Sequence, residues 1–243
     1  TYTVSLTATG PAGSDSETKP DWFTSVPASV TVTIEADKDT SIYSEATGNG
    51  NGLNPQLVCG NAATLANVQF GIRRALVEFD VAAAVPAGST VQSASLQLTC
   101  TYNPVNPTGA ESVALRRVTS EWTQGSTNSG IGGGGAATGG DAPWANARSS
   151  GPVIAWTTPG GDFVAGTTQT RTVNTAGVYT WNANATMIAD VQLWLDTPAQ
   201  NHGWILRANE TPGQRSAKVF GSRENLTPAD RPKLNVTYQP PLP

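Results

Sequence analysis

The sequence is short of charged residues, histidine, cysteine and methionine. Only 13% of its 243 residues are Asp, Glu, Lys or Arg, and it contains one His, two Cys and one Met. A nucleophile needs a general base beside it, and no Gly-x-Ser-x-Gly turn accompanies the single histidine. One His and two Cys also exclude a zinc site of the usual ligand spacing. We therefore expect a protein that is not an enzyme.

Long apolar runs and clustered basic residues are absent as well. No run approaches the roughly 18 apolar residues of a membrane-spanning helix, so we expect no membrane span. The net charge is −4 and the basic residues are scattered, which argues against nucleic acid as a partner. Ser, Thr, Asn, Gly and Ala occupy the surface-type positions instead. This neutral, hydrogen-bonding composition predicts a secreted or cell-surface protein that contacts sugars or copies of itself.

Strand-like alternation dominates the sequence from residue 27 to residue 239. Apolar residues at Val91, Ala94, Leu96 and Leu98 alternate with Ser and Gln over one such run. About a dozen short runs of this kind are separated by Gly, Pro and Asn turns, which is typical of a sandwich rather than a parallel α/β sheet. The sequence therefore predicts an all-β domain, an antiparallel jelly-roll-like β-sandwich.

Two segments depart from the strand pattern. Residues 182–195 have the helical period, with Asn184 as the N-cap and Pro198 beyond the end, so we predict one helix that covers an open end of the sandwich. Residues 125–161 are rich in Gly, Ser, Ala and Thr and are predicted to form one long loop. The last residues, 240–243, form a Pro-rich tail that cannot continue a strand ladder.

The two cysteines, Cys59 and Cys100, lie at the ends of strand-like runs. They are consistent with one disulfide, as in many secreted proteins, or with two buried thiols that act as small hydrophobic residues. The sequence leaves both alternatives open.

Calcium is the one metal for which the sequence offers ligands. Asp37, Asp39 and Glu45 lie in a polar segment with Asn49 and Asn51, and a hard cation prefers clustered oxygen ligands. The alternative is that these Asp and Asn side chains cap turns through the neighbouring backbone.

A carbohydrate site is the other candidate. Trp144 lies in the long loop beside Asp141 and Asn146, and sugar recognition combines an aromatic ring with amide or carboxylate groups. The alternative is that Trp144 fixes its own loop to the core. Four Asn-x-Ser/Thr triplets are candidate glycan acceptors, at Asn184, Asn209, Asn225 and Asn235.

The N-terminal residues 1–26 form a separate unit in the pattern. Tyr2, Val4, Leu6 and Ala8 alternate with Thr and Ser, a turn follows at residues 10–13, and a second short strand is predicted at residues 18–23. Two strands cannot bury a core alone, so this hairpin must pack on a missing upstream domain, on the main body or on another molecule.

Six segments of the main body resemble the DNRLRE-domain family. They are Asp-Lys-Asp-Thr-Ser-Ile-Tyr at 37–43, Arg-Arg-Ala-Leu-Val-Glu-Phe-Asp at 73–80, Val-Pro-Ala-Gly-Ser-Thr-Val at 85–91, Asn-His-Gly-Trp-Ile-Leu-Arg at 201–207, Phe-Gly-Ser-Arg-Glu at 220–224 and Arg-Pro-Lys-Leu at 231–234. The resemblance implies a jelly-roll-like sandwich of large secreted prokaryotic proteins, some of which bind acidic polysaccharides. Residues 1–24 are similar to the last hairpin of a polycystic-kidney-disease-type domain.

Two functions follow as expectations. The first is a non-catalytic structural module of a prokaryotic surface fibre or adhesin, polymerising by addition of the N-terminal strand with Tyr2, Val4, Leu6 and Ala8 setting the register. The second is a carbohydrate-binding module of a secreted polysaccharide-processing protein. The expected partners are copies of the chain, neighbouring domains of a larger surface protein, or a polysaccharide.

Overall fold

A computed structural model describes residues 2–23, 26–62, 71–102, 109–211 and 213–242. The protein is mostly strands, as predicted. The strands are β1 Tyr2–Gly10, β2 Gly13–Phe23, β3 Val30–Glu35, β4 Lys38–Tyr43, β5 Asn49–Gly50, β6 Gln56–Asn61, β7 Ile72–Glu78, β8 Thr90–Tyr102, β9 Glu111–Arg117, β10 Gly135–Ala136, β11 Asn146–Arg148, β12 Ile154–Ala155, β13 Gln169–Val173, β14 Gly177–Trp181, β15 Trp204–Arg207, β16 Lys218–Gly221 and β17 Lys233–Gln239. The α-helices among the described residues are α1 Val81–Ala84 and α2 Ala185–Asp196.

Eleven of the described strands form one antiparallel sheet that curls on itself. One half, the β8 half, contains β3, β17, β8, β14 and β16, and the other, the β7 half, contains β4, β7, β15, β9 and β13. Strand β6 joins the halves, because its first four residues pair with β16 and its last two with β7. The bend passes through Gly60, which has φ +105° and no room for a Cβ beside the Ser216 carbonyl.

The main core lies between the two halves. It contains alternate residues of each half, such as Ala75 and Val77 of β7 and Leu96 and Leu98 of β8. Trp204 is at its centre, with its ring centroid 4.4 Å from that of Trp194. The all-β sandwich-like fold predicted from period-2 alternation is therefore confirmed.

Helix α2 covers one end of this core, as predicted. The Asn184 side chain accepts a hydrogen bond of 2.8 Å from the Met187 backbone N–H, and the helix ends before Pro198. It buries Met187, Val191 and Trp194 against the sandwich. The four-residue helix α1 was not predicted, since a segment this short shows no helical period. Among the described residues, no helix is both long and apolar enough to cross a bilayer.

The glycine-rich segment 125–161 packs on the outer face of the β7 half. Its Trp144 and Trp156, with Trp122 just before it, are buried against Leu76 and Ile205, which point outward from their strands. This second core explains the continuous apolar runs at 75–77 and 204–206, because those strands are buried on both faces. We refer to residues 125–161 as the insertion.

Candidate functional site

Residues 2–23 form a hairpin whose two strands pair only with each other among the described strands. Pro11 and Ala12 make the turn between the paired residues Gly10 and Gly13. Proline fits the second position of such a turn, and Gly13 has φ +127°. The second strand, β2, is longer than predicted and starts at Gly13 rather than at residue 18.

The hairpin has two different faces, because residues paired across the strands point to the same side. On the first, which we call the mixed face, Val4, Leu6 and Ala8 lie opposite Lys19, Glu17 and Asp15. On the second, the hydroxyl face, all paired residues are Ser or Thr: Ser5 lies opposite Thr18, Thr7 opposite Ser16 and Thr9 opposite Ser14. The residues predicted to form a self-assembly strand occupy every second position of β1. They are Tyr2, Val4, Leu6 and Ala8.

Every residue of β1 is exposed. Tyr2 exposes 60% of its surface and Leu6 exposes 72%, so these two side chains are not buried by any of the described residues. Full burial of a side chain such as Leu contributes about 1.5–3 kcal/mol. The hairpin therefore presents a contact surface that a second molecule would stabilise.

Trp144, the predicted stacking residue, lies under the surface. Only 9% of it is exposed. The Arg74 guanidinium lies 4.7 Å from the ring centroid, and a Cβ at Gly160 would be only 2.7 Å from the ring. Because sugar stacking needs an open ring face, Trp144 is placed to fix the insertion to the sheet, which was the second of the two alternatives.

Asp141 and Asn146 also contribute to the structure of the insertion. The buried Asp141 carboxylate accepts hydrogen bonds from the Thr138 N–H at 2.6 Å, the Thr127 hydroxyl at 2.7 Å and the Thr127 N–H at 3.2 Å. A Cβ at Gly125 would lie 2.2 Å from its Cγ, so glycine is required there. Asn146 is half-buried at the start of β11. These residues do not form an exposed sugar-binding platform with Trp144.

The three predicted calcium ligands point to different partners. Asp37 is exposed, Asp39 is fully buried, and Glu45 forms an ion pair of 2.8 Å with Arg73. Among the residues that the structure describes, no three His, Cys, Asp or Glu side chains come close enough to hold a metal together. Asp37, Asp39 and Glu45 therefore form no common ligand set.

Asp39 instead forms a buried acid pair with Glu224. One Asp39 oxygen accepts a hydrogen bond of 2.7 Å from the Arg223 N–H, while Oδ1 of Asp39 and Oε2 of Glu224 are buried without a donor from the described residues. Burial, and next the negative charge of Glu224, raise the pKa of Asp39 well above its usual range. The direction of this shift favours a protonated Asp39 that shares its proton with Glu224.

Asp39→Asn tests this pair. Because the folded-state pKa is raised, the stability that this group contributes is present at low pH and is lost as the pH rises through that pKa. Asn keeps an acceptor for the Arg223 N–H and supplies a permanent donor to Glu224. We expect the free energy of unfolding of the variant, relative to the wild type, to increase by about 1.4 kcal/mol per pH unit above pH ~4 until the folded-state pKa is passed.

Denaturant unfolding across a pH series measures this difference. Asp37→Asn, which removes an exposed charge two residues away, is the matched control. A difference between Asp39→Asn and wild type that stays constant with pH would contradict the shared proton.

The two cysteines are buried free thiols. Cys59 pairs with Lys218 and Cys100 with Phe220, so strand β16 lies between them. Two strand spacings place their backbones about 9.6 Å apart, beyond the reach of a disulfide. The disulfide alternative is therefore wrong. The sequence left it open because the sequence does not show that a third strand separates the two cysteines. Burial raises the pKa of both thiols.

The four candidate glycan acceptors are held in local structure. In three of them the side-chain amide nitrogen, to which a glycan would be attached, donates a hydrogen bond. Asn184 donates to the Thr168 carbonyl, Asn209 to the Gln214 side chain and Asn225 to the Pro55 carbonyl. Asn235 is half-buried on β17 and accepts a hydrogen bond from Thr33. Glycosylation at these positions stays a prediction.

An arginine cluster that the sequence analysis missed lies beside the insertion. Arg74, Arg116 and Arg207 come from β7, β9 and β15, and their guanidinium carbons lie 5.4, 5.7 and 5.1 Å from the Phe163 ring centroid. The three residues are remote in sequence, so only the strand register brings them together. Each lies at an outward-pointing position of its strand.

One carboxylate pairs with two of these three arginines. Glu210 accepts hydrogen bonds from Arg74 at 2.8 and 2.9 Å and from Arg207 at 3.0 Å. Although burial opposes it, hydrogen bonding to Arg207 and Arg74 lowers the pKa of Glu210 to about 2. Arg116 has no carboxylate partner among the described residues; it donates to the Ala165 carbonyl at 2.7 Å, and its Nε is buried without an acceptor.

Comparison of the chain with models of known families gives no match. Comparison with curated proteins also gives none. The resemblance to DNRLRE domains therefore rests on the six segments quoted above and stays a prediction.

Proposed function

We propose that the protein is a non-catalytic structural module of an extracellular prokaryotic fibre or adhesin, and that its N-terminal hairpin joins one subunit to the next. The observation that carries the proposal is the hairpin itself, with its exposed stripe of Tyr2, Val4 and Leu6. A two-stranded hairpin is marginally stable in water, because it lacks a core to offset the entropy lost on ordering. Contact with a neighbouring subunit would supply that core.

The proposed contact joins two different surfaces. The exposed hairpin of one subunit would pack on a surface of the next subunit that is not its hairpin. Such head-to-tail contacts are heterologous and propagate as an open filament unless a rotation closes them. The low charge of the chain, 13% of residues, agrees with repeated packing of copies in an extracellular fibre.

Leu6→Lys tests the proposal. We expect the wild type to associate in a concentration-dependent way. We expect the variant to associate at least about tenfold more weakly, because the substitution removes an apolar side chain from the contact and places a charged ammonium group there. Sedimentation velocity over a concentration series measures the association, and electron microscopy of native material shows whether filaments form.

Thr7→Lys is the matched control, since it adds the same charge to the next residue of β1 on the hydroxyl face. It is expected to associate as the wild type does. A wild-type protein that stays monomeric at all concentrations, or equal association of Leu6→Lys and wild type, would overturn the proposal.

A carbohydrate-binding module is the second candidate, and one surface favours it. The outer face of the β8 half carries a ladder of hydroxyl and amide groups, in which Thr31 bonds Thr237 at 2.9 Å and Thr33 bonds Asn235 at 2.7 Å. Ser93 and Ser95 extend the ladder on β8. A monomeric protein that is retarded in a gel containing a neutral polysaccharide would favour this candidate over the fibre.

A further inference from the structure

The arginine cluster borders a groove that the insertion leaves uncovered. The groove lies on the outer face of the β7 half, and its lining includes Ala114, Arg116 and Arg207 together with two carboxylates, Glu111 and Glu210. Phe163 lies beside it, in contact with all three arginines. The surface therefore combines small apolar residues, one aromatic ring, guanidinium groups and two carboxylates.

The positive charge of this groove is only partly neutralised. Glu210 pairs with Arg74 and Arg207, and Glu111, at the far end, interacts with Lys218. Asp162, on the insertion side, accepts hydrogen bonds from the Ser120 hydroxyl and from the N–H groups of Thr157 and Thr158. Arg116 is the residue for which the described residues provide no carboxylate, and its buried Nε lacks an acceptor.

We propose that this groove is the receptor for the mixed face of the N-terminal hairpin of a second copy of the chain. The inference rests on the proposed function and names the surface that receives the hairpin. The mixed face brings the carboxylates of Asp15 and Glu17 alongside Leu6 and Ala8. These groups complement the guanidinium groups of Arg116 and Arg207 and the apolar residues Ala114 and Phe163.

Charge selects this occupant. The hairpin, residues 2–23, has three acids and one lysine, a net charge of −2, whereas Arg116 and Arg207 of the groove and the adjacent Arg74 have one carboxylate partner, Glu210, among the described residues. Glu17 forms an ion pair with Lys19 within the hairpin, which leaves Asp15 as the mixed-face carboxylate without an ion-pair partner among the described residues. The hairpin is exposed in the structure, so the occupant of the groove is the hairpin of another copy.

Charge reversal on both sides provides the test. Arg116→Glu is expected to weaken association by about tenfold or more in sedimentation velocity, and Asp15→Lys with Glu17→Lys on the hairpin is expected to do the same. Mixing the two variants places Lys opposite Glu, and we expect association between them to return to within a few-fold of wild type. The association of wild type should also weaken with rising salt.

Controls separate this inference from the proposed function. Lys233→Glu makes the same type of charge change on the outer face of the opposite half and is expected to leave association unchanged. Arg116→Gln gives a milder second variant should the reversal prevent folding, and circular dichroism verifies the fold of each. If Leu6→Lys abolishes association while Arg116→Glu and Arg116→Gln do not, the receptor assignment fails and the proposed function stands.

A third outcome also overturns the receptor assignment. If both Arg116 variants associate as wild type does but lose retardation in a gel containing an acidic polysaccharide, the groove binds a glycan instead of the hairpin. A wild type that never associates overturns both proposals together.

Discussion

Trp204→Ala is expected to destabilise the protein by about 4 kcal/mol or more, enough to unfold a marginal domain. Trp204 is fully buried between the two halves of the sandwich, where its ring packs against Trp194 and Phe79. Its indole N–H donates a hydrogen bond of 2.9 Å to Asp190 of α2. The substitution therefore leaves a large cavity and also removes a donor from a buried carboxylate.

Asp190 makes this effect larger than a cavity alone would. Its carboxylate also accepts a hydrogen bond of 2.7 Å from Thr168 and forms an ion pair of 3.0 Å with Arg117. One side chain thus joins α2 to β9, β15 and the segment before β13. Loss of the Trp204 donor weakens the attachment of the helix that closes this end of the core.

Denaturant unfolding monitored by circular dichroism measures the loss. Trp204→Phe keeps most of the apolar volume but lacks the N–H, and it is expected to lose about 1–3 kcal/mol, which remains measurable if Trp204→Ala does not fold. Tyr102→Ala, at an exposed aromatic residue outside the hairpin, is the control. Equal stability of Trp204→Phe and wild type would show that the Asp190 contact contributes nothing.

The sandwich could be predicted because each strand carries its own signal. The alternating run that contains Val91, Ala94, Leu96 and Leu98 lies within β8, since alternation and turn residues are local properties of the chain. The predicted helix at 182–195 shifted only slightly, to Ala185–Asp196, because its cap and its period are also local. Period-2 burial is thus enough to predict the fold class.

The sites could not be predicted in the same way, because they depend on which strands become neighbours. From the sequence, Cys59 and Cys100 are as well suited to a disulfide as to two buried thiols. Only the position of β16 between them decides for the thiols. Arg74, Arg116 and Arg207 become one cluster only through the register of β7, β15 and β9. Their signal in the sequence is an arginine on the outward side of each strand, which by itself is typical of a solvated face.

The insertion shows a different reason for failure. Its tryptophan and carboxylate resemble a sugar site in composition, and composition does not distinguish a binding loop from a covering loop. The continuous apolar runs at 75–77 and 204–206 were the informative signal, because strands buried on both faces require a cover. The length of the insertion and its tryptophans follow from that requirement.

Asp141→Ala is expected to release the insertion while the sandwich stays folded. Asp141 accepts hydrogen bonds from Thr127 and Thr138, and the substitution removes the acceptor of the Thr127 N–H, the nearest acceptor of the Thr127 hydroxyl and one of the two acceptors of the Thr138 N–H. Loss of a hydrogen bond to a charged group costs roughly 1.5–3 kcal/mol, and here the loss is concentrated in one segment. Without the insertion, Leu76 and Ile205 on the outer face of the β7 half become exposed to water.

Hydrogen exchange at the Thr127 and Thr138 amides measures the release directly, and limited proteolysis within residues 125–161 measures it independently. We expect the amides to lose protection by about two orders of magnitude or more and Trp144 fluorescence to shift to the red, while strand β8 keeps its protection. Glu121→Ala, an exposed acid just before the insertion, should change neither readout. An Asp141→Ala protein whose insertion stays protected would show that the tryptophans alone hold the cover in place, with the carboxylate contributing little.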